Sequence, residues 1–393
     1  MNSHLGIKDP AAAATAVVAA CTLTLVACGG GGGGGSPMNM ASAPPPPGFV
    51  DTALDSDATG VVATTTTIDS NLKNPWGIAI APGQPFWISD EASNVTTLYT
   101  GTGTVETESA SGLGSEAGIT IPANSLGDPS NPTGQVFNGA GGFAVGGKSA
   151  LFILDGQGGT IAGWAGGAAA VTAYDDSIAN GPNHAVYKGL AIGSFNGADY
   201  LYATDLHNNK IDVFDTNFTL PAAMQGKFVD PTLPAGFAPF GITATSTQLI
   251  VTYAMQDGVK HDEVIGAGLG YVDAYDFGGN FVSRFASAGV LNAPWGVAIA
   301  PTGFGSLAGD VLIGNFGDGH INAYTTAGAS VGALAVNSGG TVAIPGLWAL
   351  VFGNGDPDKP ATTLFYTAGF ADQTDGVFGT ITPSTSTGGG NPY

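Results

Sequence analysis

Basic residues are scarce in this sequence. It holds 9 lysines and arginines against 30 aspartates and glutamates, which gives a formal net charge of -21. A chain this acidic repels the phosphate backbone of nucleic acids, and no basic stripe offsets the repulsion. We therefore predict no nucleic-acid partner. The acidity either keeps the protein soluble or serves the binding of a cation or a basic ligand.

Cysteines and charged residues are also scarce. The only two cysteines, Cys21 and Cys28, lie near the N-terminus, so the rest of the chain has no disulfide to stabilise it. Charged residues make up 10% of the chain, whereas about 25% is usual, and there are 64 glycines. Long periodic runs of strong helix formers are missing. This composition favours short strands joined by tight turns.

Signatures of well-known catalytic sites are missing as well. The sequence has no C-x-x-C-H haem motif, no H-E-x-x-H motif, no G-x-S-x-G nucleophile elbow and no P-loop. The seven glycines at 29–35 do not follow a strand, so they are not a nucleotide-binding loop. A lyase or redox activity therefore finds little support in the residues.

The N-terminal segment has the features of an export signal. Residues 11–27 form an apolar run of small side chains, which suits a signal peptide better than a membrane-spanning helix. The run ends in Leu25-Val26-Ala27-Cys28, which resembles a bacterial lipobox. Residues 1–27 are then a lipoprotein signal peptide, and lipidated Cys28 anchors the chain to the outer membrane, on its periplasmic face or at the cell surface. An ordinary signal peptide, or a lipobox ending at Cys21, is the alternative.

The segment after Cys28 is rich in glycine and proline. Flexible polyglycine and the stiff prolines at 44–47 together make an extended spacer. We therefore predict a disordered tether over residues 28–59. Residues 384–393, which are polar and glycine-rich, are predicted to form a flexible tail. The only membrane contact expected is through the lipid.

From residue 60 onward one pattern recurs six times. Each repeat begins with an aromatic or small residue, a glycine and an apolar run. A second strand of aromatic and β-branched residues follows, as in 86–90, and then a third with an apolar pair, as in 95–98. The six starts are Pro75-Trp76-Gly77-Ile78, Gly141-Gly142-Phe143, Lys188-Gly189-Leu190, Pro239-Phe240-Gly241-Ile242, Pro294-Trp295-Gly296-Val297 and Pro345-Gly346-Leu347.

Six such repeats match the blades of a propeller. We predict an all-β fold, namely a six-bladed β-propeller of four-stranded antiparallel blades that spans residues 60–383 and is monomeric. Fourth strands are visible at 281–285 and 331–336, but the last repeat lacks one. The β-prone run at 61–68 is predicted to supply it, because an N-terminal strand paired with the last blade closes the ring and removes two sheet edges.

The P-W/F-G-I/V starts and the hydrophobic strands that end in Asp or Asn resemble NHL-type and SMP-30-like six-bladed propellers. Residues 60–383 also resemble a family of uncharacterised exported bacterial propellers, some of which carry a C-terminal sorting segment of the PEP-CTERM type. This chain differs from those members, because it ends in Gly388-Gly389-Gly390-Asn391-Pro392-Tyr393 without an apolar tail. The resemblance implies the fold and fixes no activity.

Polar residues should converge on the propeller face where the inner strands start and where the second and third strands are joined. Two insertions, 112–138 and 256–268, are expected to overhang this face or its rim. The Trp and Phe residues at the repeat starts are expected to pack rather than bind sugars. The candidate residues are Asn74, Asp90, Glu91, Asn94, Asp155, Asn183, His184, Lys188, Asp205, His207, Asn208, Asn292, Asn315, Asp318 and His320.

Asp90, Asp155 and Asp205 have two possible roles. A carboxylate at a strand end can cap its own turn by accepting backbone N–H bonds, or it can contact a ligand. His207 is likewise either a general base or a solvated loop residue.

Two functions remain open at this point. A surface-tethered binding module for a small molecule, a glycan or a protein needs no catalytic residue. The alternative is a metal-dependent hydrolase such as a lactonase, which the resemblance to SMP-30-like propellers implies. Those proteins hold a divalent cation with Asn, Asp and Glu oxygens, and such ligands suit Ca²⁺ or Mg²⁺. On that interpretation the metal ligands are Asp90, Asp205, Asn208 and Asn315, and His207 is the general base that activates water.

Overall fold

The computed structural model of the chain describes residues 48–63, 67–106, 118–336 and 340–384. The predicted signal peptide, the lipidation site Cys28 and residues 29–47 of the predicted tether lie outside these residues, as do residues 385–393 of the predicted tail. Among the described residues, no helix is long and apolar enough to cross a membrane.

The described residues form six main sheets of three to five strands, numbered here as blades one to six. Each inner strand packs against the inner strand of the next blade, and the last packs against the first, so the ring is closed. The predicted six-bladed β-propeller is therefore confirmed. The inner strands are Pro75–Ile80, Pro132–Phe137, Tyr187–Phe195, Phe237–Ala244, Pro294–Ile299 and Leu347–Phe352.

The second and third strands follow the predicted apolar runs in every blade. The second strands are Phe86–Asp90, Phe152–Gly156, Ala198–Asp205, Leu249–Gln256, Val311–Asn315 and Leu364–Gly369. The third strands are Val95–Tyr99, Thr160–Trp164, Lys210–Phe214, Gly270–Tyr275, Ile321–Tyr324 and Asp375–Pro383.

Outer strands and short elements vary from blade to blade. The outer strands of blades two, four and five are Val171–Asp175, Phe281–Ser287 and Ser330–Ala333; in blade one Val105–Glu106 and Gly118–Thr120 share this place, and blade three has no outer strand among the described residues. The remaining short strands are Thr67–Ile68, Ala144–Val145, Lys148–Ser149 and Glu263–Val264, and the helical turns are Ser177–Asn180, Gly181–Asn183, Gly305–Leu307 and Phe370–Gln373.

The ring closes through the strand Phe49–Ser56, which pairs antiparallel with the third strand of blade six. The prediction that 61–68 closes the ring is thus wrong, and so is the assignment of 49–56 to the tether, although closure by an N-terminal strand is confirmed. Phe49 anchors this strand to the core. Its side chain is buried, and its ring centroid lies 4.8 Å from that of Phe304. Of the described part of 61–68, Val61 and Val62 pack against the same core cluster, and Thr67–Ile68 pairs parallel to the closing strand.

Two predicted repeat starts are also wrong. In blade two the inner strand is Pro132–Phe137, and Gly142 lies in the loop that follows it. In blade six the strand begins at Leu347, so Ala349, and not Gly346, occupies the glycine position of the repeat. The Pro-Thr-Gly-Gln start of blade two escaped notice because it has no aromatic residue and lies inside a segment interpreted as an insertion.

At Gly77 and Gly296 the neighbouring inner strands come too close for a side chain. A Cβ atom on Gly77 would lie 2.5 Å from the backbone oxygen of Thr133 in the next blade, and one on Gly296 would collide with the backbone oxygen of Trp348. Glycine permits this approach without a shift of the neighbouring backbone, whereas blade six accommodates Ala349 at the same position. Close contact between the inner strands therefore explains why the glycine recurs.

An aromatic cluster joins the inner strands of blades one, four, five and six. The ring of Trp76 stacks on Trp348 with 3.5 Å between centroids, and it meets Trp295 edge-on at 5.8 Å and Phe240 at 6.2 Å. Phe316 covers the other face of Trp348 at 4.1 Å. The aromatic residues of the repeat starts thus pack on one another, as predicted.

Candidate functional site

A pocket of about 460 Å³ is built by loops of blades one to four. These loops precede the inner strands or join second to third strands, so the pocket opens on the face where the inner strands start. Both predicted insertions contribute to it, the first through Asp128 and the second through His261. We call it the loop pocket. Its polar lining includes Glu91, Asp128, Gln157, His184, His207 and His261.

Three histidines of the loop pocket hold their Nδ1 atoms against acceptors. His184 Nδ1 lies 2.8 Å from the carbonyl oxygen of Ala185, and His207 Nδ1 lies 3.2 Å from that of Lys260. His261 Nδ1 lies 2.8 Å from a carboxylate oxygen of Asp262. A carbonyl or carboxylate requires a donor, so each Nδ1 carries a hydrogen, and in the neutral form of each ring Nε2 is the acceptor. Those Nε2 atoms have no hydrogen-bond partner among the described residues.

Glu91 is held by amides from three segments. One carboxylate oxygen accepts from Asn74 Nδ2 at 2.9 Å, and the other accepts from Asn131 Nδ2 and from Gln157 Nε2, the latter at 3.3 Å. Asn74 and Asn131 have positive φ values, 45° and 49°, a conformation that asparagine tolerates better than most residues. Glu91 is therefore a fixed acceptor at the wall between blades one and two.

Lys188 lies beneath the loop pocket, with a side chain that is 1% exposed. Its ammonium nitrogen is 3.2 Å from Gln157 Oε1, 3.2 Å from Asp262 Oδ1 and 3.7 Å from Glu263 Oε2, and it sits 5.2 Å above the ring of Trp76. Gln157 thus links the lysine to Glu91. The segment 256–268 is held over the inner strands by the lysine's two carboxylate partners.

The two carboxyl groups beside Lys188 shift in opposite directions. The pKa of Asp262 is lowered, chiefly by its hydrogen bond with His261 and further by the charge of Lys188. Burial raises the pKa of Glu263, although the charge of Lys188 opposes this effect. Asp262 is thus the ionised partner of the lysine, whereas burial disfavours the anionic form of Glu263.

The three strand-end aspartates are buried within their own blades. Asp205 caps its turn by accepting from the backbone and side-chain N–H groups of Asn208 at 3.1 and 2.7 Å. Asp155 instead accepts from Thr133 Oγ1 at 2.9 Å and from the backbone N–H of Gly134. Asp90 accepts from Thr97 Oγ1 at 2.7 Å. Turn capping therefore describes Asp205, whereas Asp90 and Asp155 bond strands of their own sheets.

Burial dominates the acid–base behaviour of these carboxyl groups. It raises the pKa of Asp155 to about 7, against the hydrogen bonds from Thr133 and Gly134 that lower it. It also raises the pKa of Asp90 well above its usual value and that of Asp205 more modestly. Burial therefore disfavours the anionic form in which an aspartate binds a metal ion.

The predicted residues of blade five lie apart from the loop pocket. Asn315 is buried and donates to the carbonyl oxygen of Val290 at 2.7 Å and to Asp318 Oδ1 at 3.1 Å. His320 Nδ1 lies 3.3 Å from the same Asp318 oxygen, and His320 Nε2 lies 3.0 Å from Thr341 Oγ1. Of the predicted metal ligands, Asp205 and Asn208 are in direct contact, whereas Asn315 belongs to this separate network in blade five.

The described residues contain no group of three or more His, Cys, Asp or Glu side chains placed to hold a metal ion. Sequence reasoning missed Asp128 and Gln157 as pocket residues. Gln157 follows Asp155 by two residues, as His207 follows Asp205 in the next blade. This equivalent position in the repeat was the signal that could have identified Gln157.

Comparison with known proteins yields relatives without a described activity. No family model matches the sequence. The uncharacterized protein R648 of Acanthamoeba polyphaga mimivirus is 34% identical over 324 residues, which cover 80% of this chain and 76% of that protein. The uncharacterized protein L690 of the same virus is 29% identical over 336 residues, with 80% and 81% covered. These relatives are viral, so the predicted link to exported bacterial propellers finds no support in them.

Solved structures resemble the chain at low identity. Virginiamycin B lyase from Staphylococcus aureus is 15% identical, with a TM-score of 0.46 over 85% of this chain and 98% of that one. The PQQ-bound aldose sugar dehydrogenase from Streptomyces coelicolor is 16% identical, with a TM-score of 0.47 over 86% and 99%. The activities in these names are those of the named proteins.

Proposed function

We propose that this chain, which belongs to the same family as the uncharacterized protein R648 of Acanthamoeba polyphaga mimivirus, is a ligand-binding β-propeller whose site is the loop pocket. The observation that carries the proposal is the set of three imidazoles on one pocket, each with Nδ1 engaged and Nε2 left as an acceptor. Binding sites characteristically hold a few polar groups whose orientation is fixed by a rigid scaffold.

The chemistry of the lining selects a ligand rich in hydrogen-bond donors. The pocket offers three imidazole Nε2 atoms and the carboxylates of Glu91 and Asp128 as acceptors. The buried ammonium group of Lys188, beneath the pocket, is already engaged by Gln157 and Asp262. An anionic ligand would also meet the chain's net charge of -21. A small polyol, a sugar or an organic amine fits these acceptors best.

The test is a binding screen with matched histidine variants. Purified residues 48–393 are screened by thermal shift against monosaccharides, polyols and polyamines, and each hit is measured by calorimetry. We expect His184→Gln and His207→Gln to weaken a hit about tenfold, because each loses an imidazole acceptor. His320→Gln is the control, since His320 lies on the same face outside the pocket. Equal losses in all three variants, or no hit in the panel, would remove the loop pocket as the site.

The same screen distinguishes a metal-dependent hydrolase from a binding module. Ca²⁺ and Mg²⁺ belong in the same panel, with Asp205→Asn and Asn208→Ala as the variants. A stabilisation by either cation that both variants abolish would favour a metal-dependent hydrolase over the binding module.

We further infer, from the sequence alone, that the propeller is exported and lipid-anchored through Cys28. Fractionation of cells expressing the full chain tests this inference. Cys28→Ser should move the protein from the membrane to the soluble fraction, and Cys21→Ser is the matched control. Unchanged membrane association of the Cys28→Ser protein would contradict it.

A further inference from the structure

Both ends of the described propeller lie on one face. The closing strand Phe49–Ser56 begins opposite Pro383, the last residue of the third strand of blade six. The backbone N–H of Ser384 donates to the carbonyl oxygen of Gly48 at 2.9 Å. The segment that leads back to Cys28 therefore leaves the propeller beside the end of blade six.

That face is opposite the one on which the loop pocket opens, which we call the pocket face. The third strand of blade six follows the helical turn Phe370–Gln373, in which Gln373 Oε1 accepts from Asn74 Nδ2 at 3.1 Å. The same amide group donates to Glu91 beside the loop pocket, so the turn lies on the pocket face. From there the nine residues Asp375–Pro383 run to the other face, over about 30 Å at the usual rise of a strand. We call this other face, formed by the loops that join inner to second strands, the anchor face.

The loops of the two faces differ in charge. On the anchor face, the loops that join inner to second strands carry two lysines and three aspartates, namely Lys148, Lys359, Asp310, Asp356 and Asp358. On the pocket face, the loops that join second to third strands carry one lysine and six acidic residues, namely Lys260, Glu91, Asp257, Asp262, Glu263, Asp318 and Asp372. A membrane surface with anionic lipids repels carboxylates, so it repels the anchor face less than the pocket face.

Nineteen residues, 29–47, separate Cys28 from the described part of the chain. A random coil of that length has an end-to-end distance of about 25 Å, whereas a pocket face turned to the bilayer would require the connection to cross the whole thickness of the propeller. We propose that the anchor face is turned to the membrane surface and that the loop pocket opens away from it, so that its ligand arrives from the surrounding medium. This orientation requires the lipid anchor proposed above.

The experiment measures which face is nearer to the bilayer. The mature lipidated chain is inserted into preformed vesicles of phosphatidylethanolamine and phosphatidylglycerol that carry nitroxide on the lipid headgroups. A fluorophore is attached to the single free cysteine introduced by Ser306→Cys, in an exposed loop of the anchor face, or by Ile178→Cys, on the pocket face. We expect about threefold stronger quenching at Ser306 than at Ile178, because the two faces are about 30 Å apart.

A second pair of labels guards against a local effect of the first. Thr302→Cys on the anchor face and Val259→Cys on the pocket face are both at exposed positions, and the same difference is expected. Labelled protein with Cys28→Ser is the control and should show no quenching on either face. Equal quenching on the two faces, or stronger quenching on the pocket face, would overturn the orientation and leave the lipid anchor intact. A mature chain that does not bind the vesicles would overturn the anchor and the orientation together.

Discussion

Blades two and three differ from blades five and six at the same register of the inner strand. Blades five and six place Trp295 and Trp348 there, and both join the aromatic cluster. Blades two and three place Thr133 and Lys188 there, and blade two adds Gln135 two residues after Thr133. Lys188, beneath the loop pocket, and Gln135, whose amide accepts from Ser89 and Thr96, thus come from these two blades.

The two sides of the ring therefore differ in role. The aromatic side, formed by blades five and six, fills the space between inner strands and stabilises the closed ring. On the polar side, each substitution is accompanied by a partner from another segment, such as Asp262 for Lys188 or Ser89 for Gln135. Departures from the repeat that bring their own partners are the positions at which a repeat fold acquires a site.

The largest effect is expected on the aromatic side. Trp348 is fully buried, stacks on Trp76 and Phe316, and donates Nε1 to Asn74 Oδ1 at 2.9 Å. Trp348→Ala should lower the free energy of unfolding by about 5 kcal/mol, because it removes a large packed side chain and leaves a cavity. Urea unfolding measures the loss. A loss below about 1 kcal/mol would show that the aromatic cluster does not stabilise the ring.

On the polar side, Asp155 should make stability depend on pH. Its pKa is about 7 in the folded protein and near 3.8 in the unfolded chain, so between these values the folded state holds the proton more tightly. The stabilisation that the proton on Asp155 gives to the folded state is complete below about pH 4, and it is lost as the pH rises through about 7. Relative to Asp155→Asn, the unmodified protein should lose about 4 kcal/mol between pH 4 and pH 8. Parallel pH profiles of the two proteins would refute the shift.

Lys188 should contribute to stability as well as to the pocket. Lys188→Met leaves Glu263 buried without its cation and frees Asp262 from the inner strand, so we expect a loss of about 3 kcal/mol. Lys148→Met, at an exposed lysine of blade two, is the matched control and should change stability little. Urea unfolding and proteolysis within 256–268 report the two consequences. If segment 256–268 resists proteolysis equally well in the Lys188→Met and Lys148→Met proteins, the segment is held by other contacts.

The fold was largely predictable because propeller repeats place apolar strands at regular intervals. Second and third strands were located in all six blades, since their burial on both faces produces continuous apolar runs. Blade two and the closing strand were misplaced for physical reasons. Pro132–Phe137 replaces the aromatic residue with Thr133, and Phe49–Ser56 alternates weakly beside a proline-rich stretch.

The sites were less predictable than the fold. Position in the repeat predicted that His184, Lys188 and His207 lie on the face where the inner strands start, but it did not predict the groups that each of them contacts. Gln135 could not be recognised, because the repeat glycine of blade two was placed at Gly142, eight residues after Gly134. Whether Asp155 caps a turn or bonds its neighbouring strand depends on a rotamer, which no spacing encodes.

The central claim, that the polar side carries the ligand site, is tested most directly by nitrogen-15 NMR of the imidazoles. The spectra are recorded with and without a hit from the binding screen, and signals are assigned by single His→Gln variants. We predict Nδ1–H tautomers for His184 and His207 in the free protein, and Nε2 shifts on binding for both, with His320 unchanged. Nε2–H tautomers in the free protein, or a shift confined to His320, would contradict the account.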